Sequence, residues 1–366
     1  MGLALLSVSC GGGGEVPVAN AVDDTSPAEE SSAADDTAAP DEPEESTEPP
    51  RPIEPGPKAT LTGLPADESL SSTPAVVIKI SNNDDRSLAA LIGLDRADVV
   101  IEERIEDRAT RFAAIFHSDL PELVGPVRSA RTSDVDLMRN LGSPILVFSG
   151  ANLAVLGEIR DLSREGGMVP VVNDDSETYH YRDTDYSAPD NLFTDPTLVS
   201  NDFAEAAGAA LPVLSFRNAD SDTRSASIDG TGVTIEGRDI VSFVHHDGLG
   251  YVRVQDGAIH VTRDGAPLTV TNVVVMQVVY VTNADDAQSV DAVTIGSGVA
   301  SVLIDGRRWE GTWARVAAEE PYSFLDRNGV DVLLEPGTTW LTLVPKGSYE
   351  FAVEADIAGL VAGGAG

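Results

Sequence analysis

The sequence predicts an α/β (α+β) N-terminal domain followed by a mostly antiparallel β C-terminal domain, and three observations predict it. Between residues 75 and 162, short β-branched runs alternate with helically spaced apolar residues, the pattern of strands covered by helices. Beyond about Leu214 the helical spacing disappears, and short β-rich runs are separated by Gly-Asp turns. From Glu15 to Pro57 the chain holds Asp, Glu, Ser, Thr, Ala and Pro with almost nothing to bury. The boundaries that follow are 1–14 for a lipoprotein signal remnant, 15–57 for a disordered acidic Pro-rich linker, 58–212 for the α/β domain, 213–350 for the β-rich domain and 351–366 for a C-terminal tail.

The formal net charge is −36, and residues 1–57 carry thirteen acids against one arginine, a net of −12, leaving −24 for the body. A body this acidic argues against nucleic-acid partners and against electrostatic docking on an anionic membrane. No stretch after the start reaches the ~18 consecutive apolar residues of a spanning helix. The opening MGLALLSVSCGGGG is an apolar run, small residues, the only cysteine and a Gly-rich exit. That order is a bacterial lipoprotein signal, with Cys10 as the lipidation site and the extracytoplasmic membrane face as the location. No Lys or Arg precedes the run, which a start codon placed too far downstream explains. The linker is then a tether that keeps the folded part off the membrane.

In chain order, 75–81 (AVVIKIS) reads as a buried strand ended by Asn82, Asn83 and Asp84, and Ser87–Leu94 as a short helix. Residues 98–105 and 110–117 read as a hairpin, 133–141 as a helix capped by Ser133, 144–149 as a strand, NLAVLGEIRDL as a helix and 202–210 as a closing helix. In the second half, strands are expected at 214–217, 240–245, 250–254, 258–263 and 270–281. Hairpins are expected across Asp305-Gly306 and across Glu335-Pro336-Gly337-Thr338, with Gly296-Ser297-Gly298 as a turn or bulge. Trp309, Trp313 and Trp340 are expected in the core.

The stretch Ala97–Arg131 concentrates chemistry, because carboxylates and arginines interrupt otherwise apolar strands. Glu102 and Glu106 share a face if the strand is regular, and that pair, or one of them with Asp134, could supply the two carboxyl groups of a glycan hydrolase. Arg111, Arg128, Arg131 and Arg182, with Asn191, could instead clamp a carboxylate or phosphate. The plainest alternative is that acids and arginines pair and fix the hairpin against the loop. The five histidines show no metal-ligand spacing, and no phosphate loop or dinucleotide fingerprint occurs, so neither a metal nor a cofactor is expected.

Several blocks resemble the YerB-like family of bacterial lipoproteins. They are Ala97-Asp98-Val99-Val100, Glu102, Glu106, Thr110-Arg111-Phe112, Val124-Gly125-Pro126-Val127-Arg128-Ser129-Ala130-Arg131, Tyr181-Arg182 and Ala188-Pro189-Asp190-Asn191-Leu192. Gly296-Ser297-Gly298, Asp305-Gly306, Gly311-Thr312-Trp313 and Gly337-Thr338-Thr339-Trp340 follow in the second half. The chain departs from the family pattern at Asp190, where the family has His, and at Asp107-Arg108, where it has Gly-Gly. The resemblance implies a surface lipoprotein of two parts and no established reaction. Two functions are therefore expected to compete. One is an envelope lipoprotein binding a cell-wall glycan or anionic envelope polymer through an Arg/Glu cleft; the other is a carboxylate-dependent cell-wall hydrolase or modifying enzyme. The oligomeric state is not legible.

Overall fold

The structure is a computed structural model and describes residues 56–173, 178–218, 227–283 and 289–351. Cys10, the linker to residue 55 and the tail from residue 352 lie outside the described residues. In the first half the strands are β1 (Val76–Asn82), β2 (Val99–Arg104), β3 (Thr110–Phe116), β4 (Ile145–Phe148), β5 (Val169–Val172), β6 (His180–Arg182) and β7 (Leu192–Thr194). The helices are α1 (Asp85–Ala90), α2 (Ser133–Met138), α3 (Leu153–Arg164) and α4 (Pro196–Phe203). The second half contributes only strands: β8 (Ile228–Asp229), β9 (Gly232–Glu236), β10 (Ile240–His246), β11 (Gly250–Gln255), β12 (Ala258–Ile259), β13 (Thr269–Val270) and β14 (Asn272–Gln277). Then come β15 (Val279–Thr282), β16 (Val290–Val293), β17 (Gly296–Ile304), β18 (Arg307–Arg315), β19 (Ser323–Asp326), β20 (Thr339–Val344) and β21 (Tyr349–Glu350).

Both halves build one eleven-stranded sheet of order β19-β18-β17-β14-β20-β2-β3-β1-β4-β5, with β8 beside β18. The junction is a parallel pair: β2 runs beside β20, with Val100 opposite Trp340 and Glu102 opposite Thr342. On one face lie α2 and α3, whose Leu137, Met138, Val155 and Ile159 pack on Val77, Ile101, Ala113, Val274 and Trp313. On the other face a six-stranded sheet, β12-β11-β10-β9-β21 with β13, packs Phe243, Val241 and Tyr251 on Val100, Phe112, Ile78 and Trp340. The central strands are thus buried on both sides, which is why they read as continuous apolar runs.

All three tryptophans are buried, as expected. The β17–β18 hairpin turns at Asp305-Gly306 with φ of 49° and 67°, the left-handed pair a two-residue hairpin needs. Several expectations are corrected. Residues 330–334 form no hairpin with β20, which pairs in parallel with β14 and β2. Gly296-Ser297-Gly298 opens β17 rather than making a turn, and a Cβ on Gly298 would meet Trp313 Nε1 at 2.5 Å. The closing helix comes earlier, at Pro196–Phe203, because Asp195 accepts from Leu198 N and Pro196 starts the first turn. The helix after β1 is Asp85–Ala90 because Asp84 and Ser87 form a reciprocal cap. Thr132, not Ser133, precedes α2; the Ser133 hydroxyl instead accepts from Ala292 N.

Candidate functional site

The β2–β3 hairpin, expected from sequence, is observed with Glu103 opposite Arg111 and Glu102 opposite Phe112. Strand alternation therefore sends Glu103 and Arg111 to the helix-covered face and Glu102 to the small-sheet face. The expected Glu102/Glu106 pair is not assembled. After Arg104 the chain leaves the strand, Asp107 and Arg108 adopt φ of 55° and 61°, and Glu106 turns to Arg131 and Ser289. The i, i+4 spacing held only as long as the strand was regular, and it was not.

Glu102 is fixed from every side. Its carboxylate takes Arg253 Nη2 at 2.9 Å, Trp340 Nε1 at 2.9 Å and Thr110 Oγ1 at 2.8 Å. The Arg253 guanidinium lies 5.2 Å from the ring centres of both Phe112 and Trp340, and it also donates to Gln255 and to His260 Nδ1. Burial and the adjacent Arg253 keep His260 neutral by pushing its pKa well down. This buried network ties the small sheet to the large one.

Asp134 is likewise committed. Lys79 Nζ, at the centre of fully buried β1, donates to Glu103 Oε1 and to Asp134 Oδ1, each at 2.6 Å, with none of the three side chains more than 1% exposed. Desolvation pushes the Asp134 carboxyl up to about 6; Lys79 opposes that shift and Glu103 adds to it. Two carboxylates around one ammonium leave a buried net negative charge, and a proton near pH 6 relieves it. Asp136 offers only its backbone carbonyl, to Arg315 Nη2 at 2.6 Å.

The arginines do converge. Arg111 is completely buried and donates to two neutral acceptors, Ser129 O at 3.1 Å and Asn83 Oδ1 at 3.2 Å. Desolvation, then the neighbouring charges of Arg131 and Arg128, pull its pKa down to about 9. Arg131 pairs with Glu106 at 2.8 Å, and Arg128 lies 3.7 Å from Asp190, which also accepts from Ser81 Oγ at 2.8 Å. Both arginines keep under a fifth of their side chains exposed. Against its own desolvation, Arg131 holds the Glu106 carboxyl below its usual range. The Nε groups of Arg111, Arg128 and Arg131 are buried without a hydrogen bond. Three guanidinium groups thus gather beside these carboxylates; Arg111, the innermost, has no ion-pair contact of its own among the described residues, and Glu103 opposite it and Glu106 act on it only through space. Arg182 stands outside this cluster, exposed and held by Asn191 Oδ1 at 2.9 Å. Sequence reading missed Lys79, Ser81 and Asn83; the signal was there in AVVIKIS, where a lysine inside a buried run demands acidic partners.

The loop that carries Arg128 and Arg131 is anchored to β1 by backbone bonds from Ser81 N to Pro126 O and from Arg128 N to Lys79 O. A Cβ on Gly125 would meet Phe193 and Leu192 O within 3 Å, so glycine is required there for the close approach. Residues 61–209 match the family described as the N-terminal domain of the protein of unknown function DUF3048, and residues 236–341 match its C-terminal domain. The chain belongs to the YerB-like DUF3048 family. It is 28% identical over 302 residues to "Putative lipoprotein YerB" of Bacillus subtilis (strain 168), covering 79% of this chain and 86% of the relative. The crystal structure of the YerB protein from Bacillus subtilis superimposes with a TM-score of 0.67 at 24% identity, over 80% of this chain and 98% of that one. That match shows that the two chains share a fold. Asp107 and Arg108 occupy left-handed backbone, the region that favours glycine. Among the described residues no group of His, Cys, Asp and Glu could hold a metal, and no helix is long and apolar enough to cross a membrane.

Proposed function

We propose that this chain is an envelope lipoprotein, anchored to the extracytoplasmic membrane face through Cys10, that grips an anionic group of a cell-wall polymer with Arg111, Arg128 and Arg131. The observation that carries this reading is Arg111: a fully buried guanidinium with no carboxylate in direct contact, beside two further guanidinium groups whose Nε atoms donate no hydrogen bond either. A buried cation compensated only at a distance, by Glu103 and Glu106, costs stability, and a bound carboxylate or phosphate would offset that cost through charge-assisted bonds.

The carboxylates favour binding over hydrolysis. Glu102 is held by Arg253, Asp134 and Glu103 by Lys79, and Glu106 by Arg131, so none is poised as a free acid–base pair of the kind glycan hydrolysis uses. The test is to incubate the protein with isolated cell-wall sacculi and follow turbidity and soluble fragments by mass spectrometry, with Glu102→Gln and Glu106→Gln alongside. No released fragments are expected from any of the three. Fragments that disappear with either substitution would establish the hydrolase and overturn the binding reading.

A further inference from the structure

Three of the seven tyrosines, Tyr179, Tyr181 and Tyr186, fall within eight residues of one another in a chain that is 5% aromatic. The fold does not take them inside: Tyr181 is 39% exposed, and Tyr179 and Tyr186 are half-buried. Rings of this size ordinarily serve a core. Tyr179, just before β6, and Tyr181 within it alternate with buried His180, so the two rings share the opposite face. Both rings are held in place. Tyr181 stacks on fully buried Phe193 of β7, with ring centres 5.8 Å apart and planes inclined by 29°. Phe193 is backed in turn by the Arg263 guanidinium, 4.9 Å from its ring centre. Tyr179 packs on Phe203 of α4 at 5.0 Å, and its hydroxyl donates to Asp202 Oδ2 at 3.1 Å.

Tyr179 and Tyr181 line an open groove of about 420 Å³ between β6, residues 122–123 and the start of α4, a volume that accommodates a small organic ligand. Leu123 and Leu198 add to its apolar surface, and Glu122 and Asp195 supply carboxylates. Asp195 uses Oδ1 to cap α4, accepting from Leu198 N at 3.0 Å. Among the described residues that line the groove there is no lysine or arginine. Two carboxylates without a base repel an anion, so the groove is not a second version of the arginine cluster. Aromatic faces beside strong acceptors suit a molecule with an apolar C–H face and a rim of donating hydroxyls, because the negative ring face attracts polarised hydrogens. We propose that this groove binds neutral pyranose rings of an oligosaccharide. Tyr181 and Tyr179 stack against the sugar faces, and Glu122 and Asp195 accept from the hydroxyls.

Cellotetraose and chitotetraose, two neutral β-linked oligosaccharides with flat rings, are the probes, titrated into the full chain and followed by saturation-transfer NMR. Glucuronate and tetramethylammonium are the anionic and cationic comparisons. At least one oligosaccharide is expected to saturate the wild type, and glucuronate is expected not to bind. Tyr181→Ala is expected to weaken the oligosaccharide at least roughly tenfold, whereas Tyr181→Phe, which keeps the ring face, stays within roughly threefold of the wild type. Circular dichroism checks that both variants are folded. Glu122→Gln, at an exposed position, gives a second test that does not touch the aromatic packing and is expected to weaken binding by roughly threefold or more. No saturation by either oligosaccharide, or equal binding by the wild type and Tyr181→Ala, would overturn the proposal. Binding of tetramethylammonium without either oligosaccharide would overturn it in favour of an ammonium site. The two probe sugars carry no charge, so this site and the proposed anionic-polymer site stand or fall separately.

Discussion

Replacing Lys79 by methionine removes the one cation between Glu103 and Asp134. Both bonds are 2.6 Å long and the ammonium is fully buried, so neither water nor another side chain can substitute for it. Removing one partner of a buried pair costs about 3–5 kcal/mol, roughly a fifth or more of a typical domain's stability of about 5–15 kcal/mol. In urea, with a slope near ~2–3 kcal/mol per molar, the midpoint is expected to fall by about 1–2 M. The loss must also depend on pH. In the wild type burial pushes the Asp134 carboxyl up to about 6 from its ordinary 3.8, so the folded state binds more protons between those values. Its contribution to stability therefore rises as pH falls through about 6 and levels off below the unfolded value. Without Lys79 the two carboxylates repel at pH 8 and can protonate at pH 5, so the penalty is expected to be larger at pH 8. Urea unfolding followed by circular dichroism at both pH values measures it. A penalty below about 1 kcal/mol, or one equal at the two pH values, would refute the reasoning.

Three further outcomes are expected. Asp134→Asn removes the proton uptake, so the wild type's gain in stability between pH 8 and pH 5 should shrink in the variant; an unchanged profile would assign the titration to other groups. Arg111→Met leaves the unfolding free energy within about 1 kcal/mol of the wild type or above it, because a buried cation with no carboxylate in direct contact is replaced by an apolar chain of similar length; a loss beyond about 3 kcal/mol would make Arg111 a structural tie instead. Gly298→Ala drives a methyl group into Trp313 Nε1 and Gln277 O, at 2.5 and 2.6 Å, and should cost about 2–3 kcal/mol by denaturant unfolding through overpacking and loss of the indole hydrogen bond.

The sequence made the β2–β3 and β17–β18 hairpins legible because each carries a strong local signal: two apolar strands around a polar turn. It concealed that β20 is parallel to both β2 and β14. Thr339–Val344 carries the same apolar pattern whichever neighbour it pairs with, and nothing local marks a partner some 240 residues away. At the candidate site, the GPVRSAR loop and Arg111 were visible as charges set in apolar sequence, and they do converge. The carboxylate assignments were less secure because they assumed an unbroken strand through Glu106, whereas two left-handed residues end it. Lys79 and Arg253 took Glu102, Glu103 and Asp134 out of play, and their pairing depends on tertiary contacts across the sheet and between layers.

The most direct measurement is cosedimentation of the full chain with cell-wall sacculi across a salt series, beside Arg128→Ala and Arg131→Ala. If the arginine cluster holds an anionic polymer, the wild type sediments at low salt and is released as salt rises. Each variant then stays largely in the supernatant while unfolding at a midpoint close to the wild type's. Wild-type and variant proteins that sediment alike, or a wild type that never sediments, would contradict the assignment of that cluster to polymer binding.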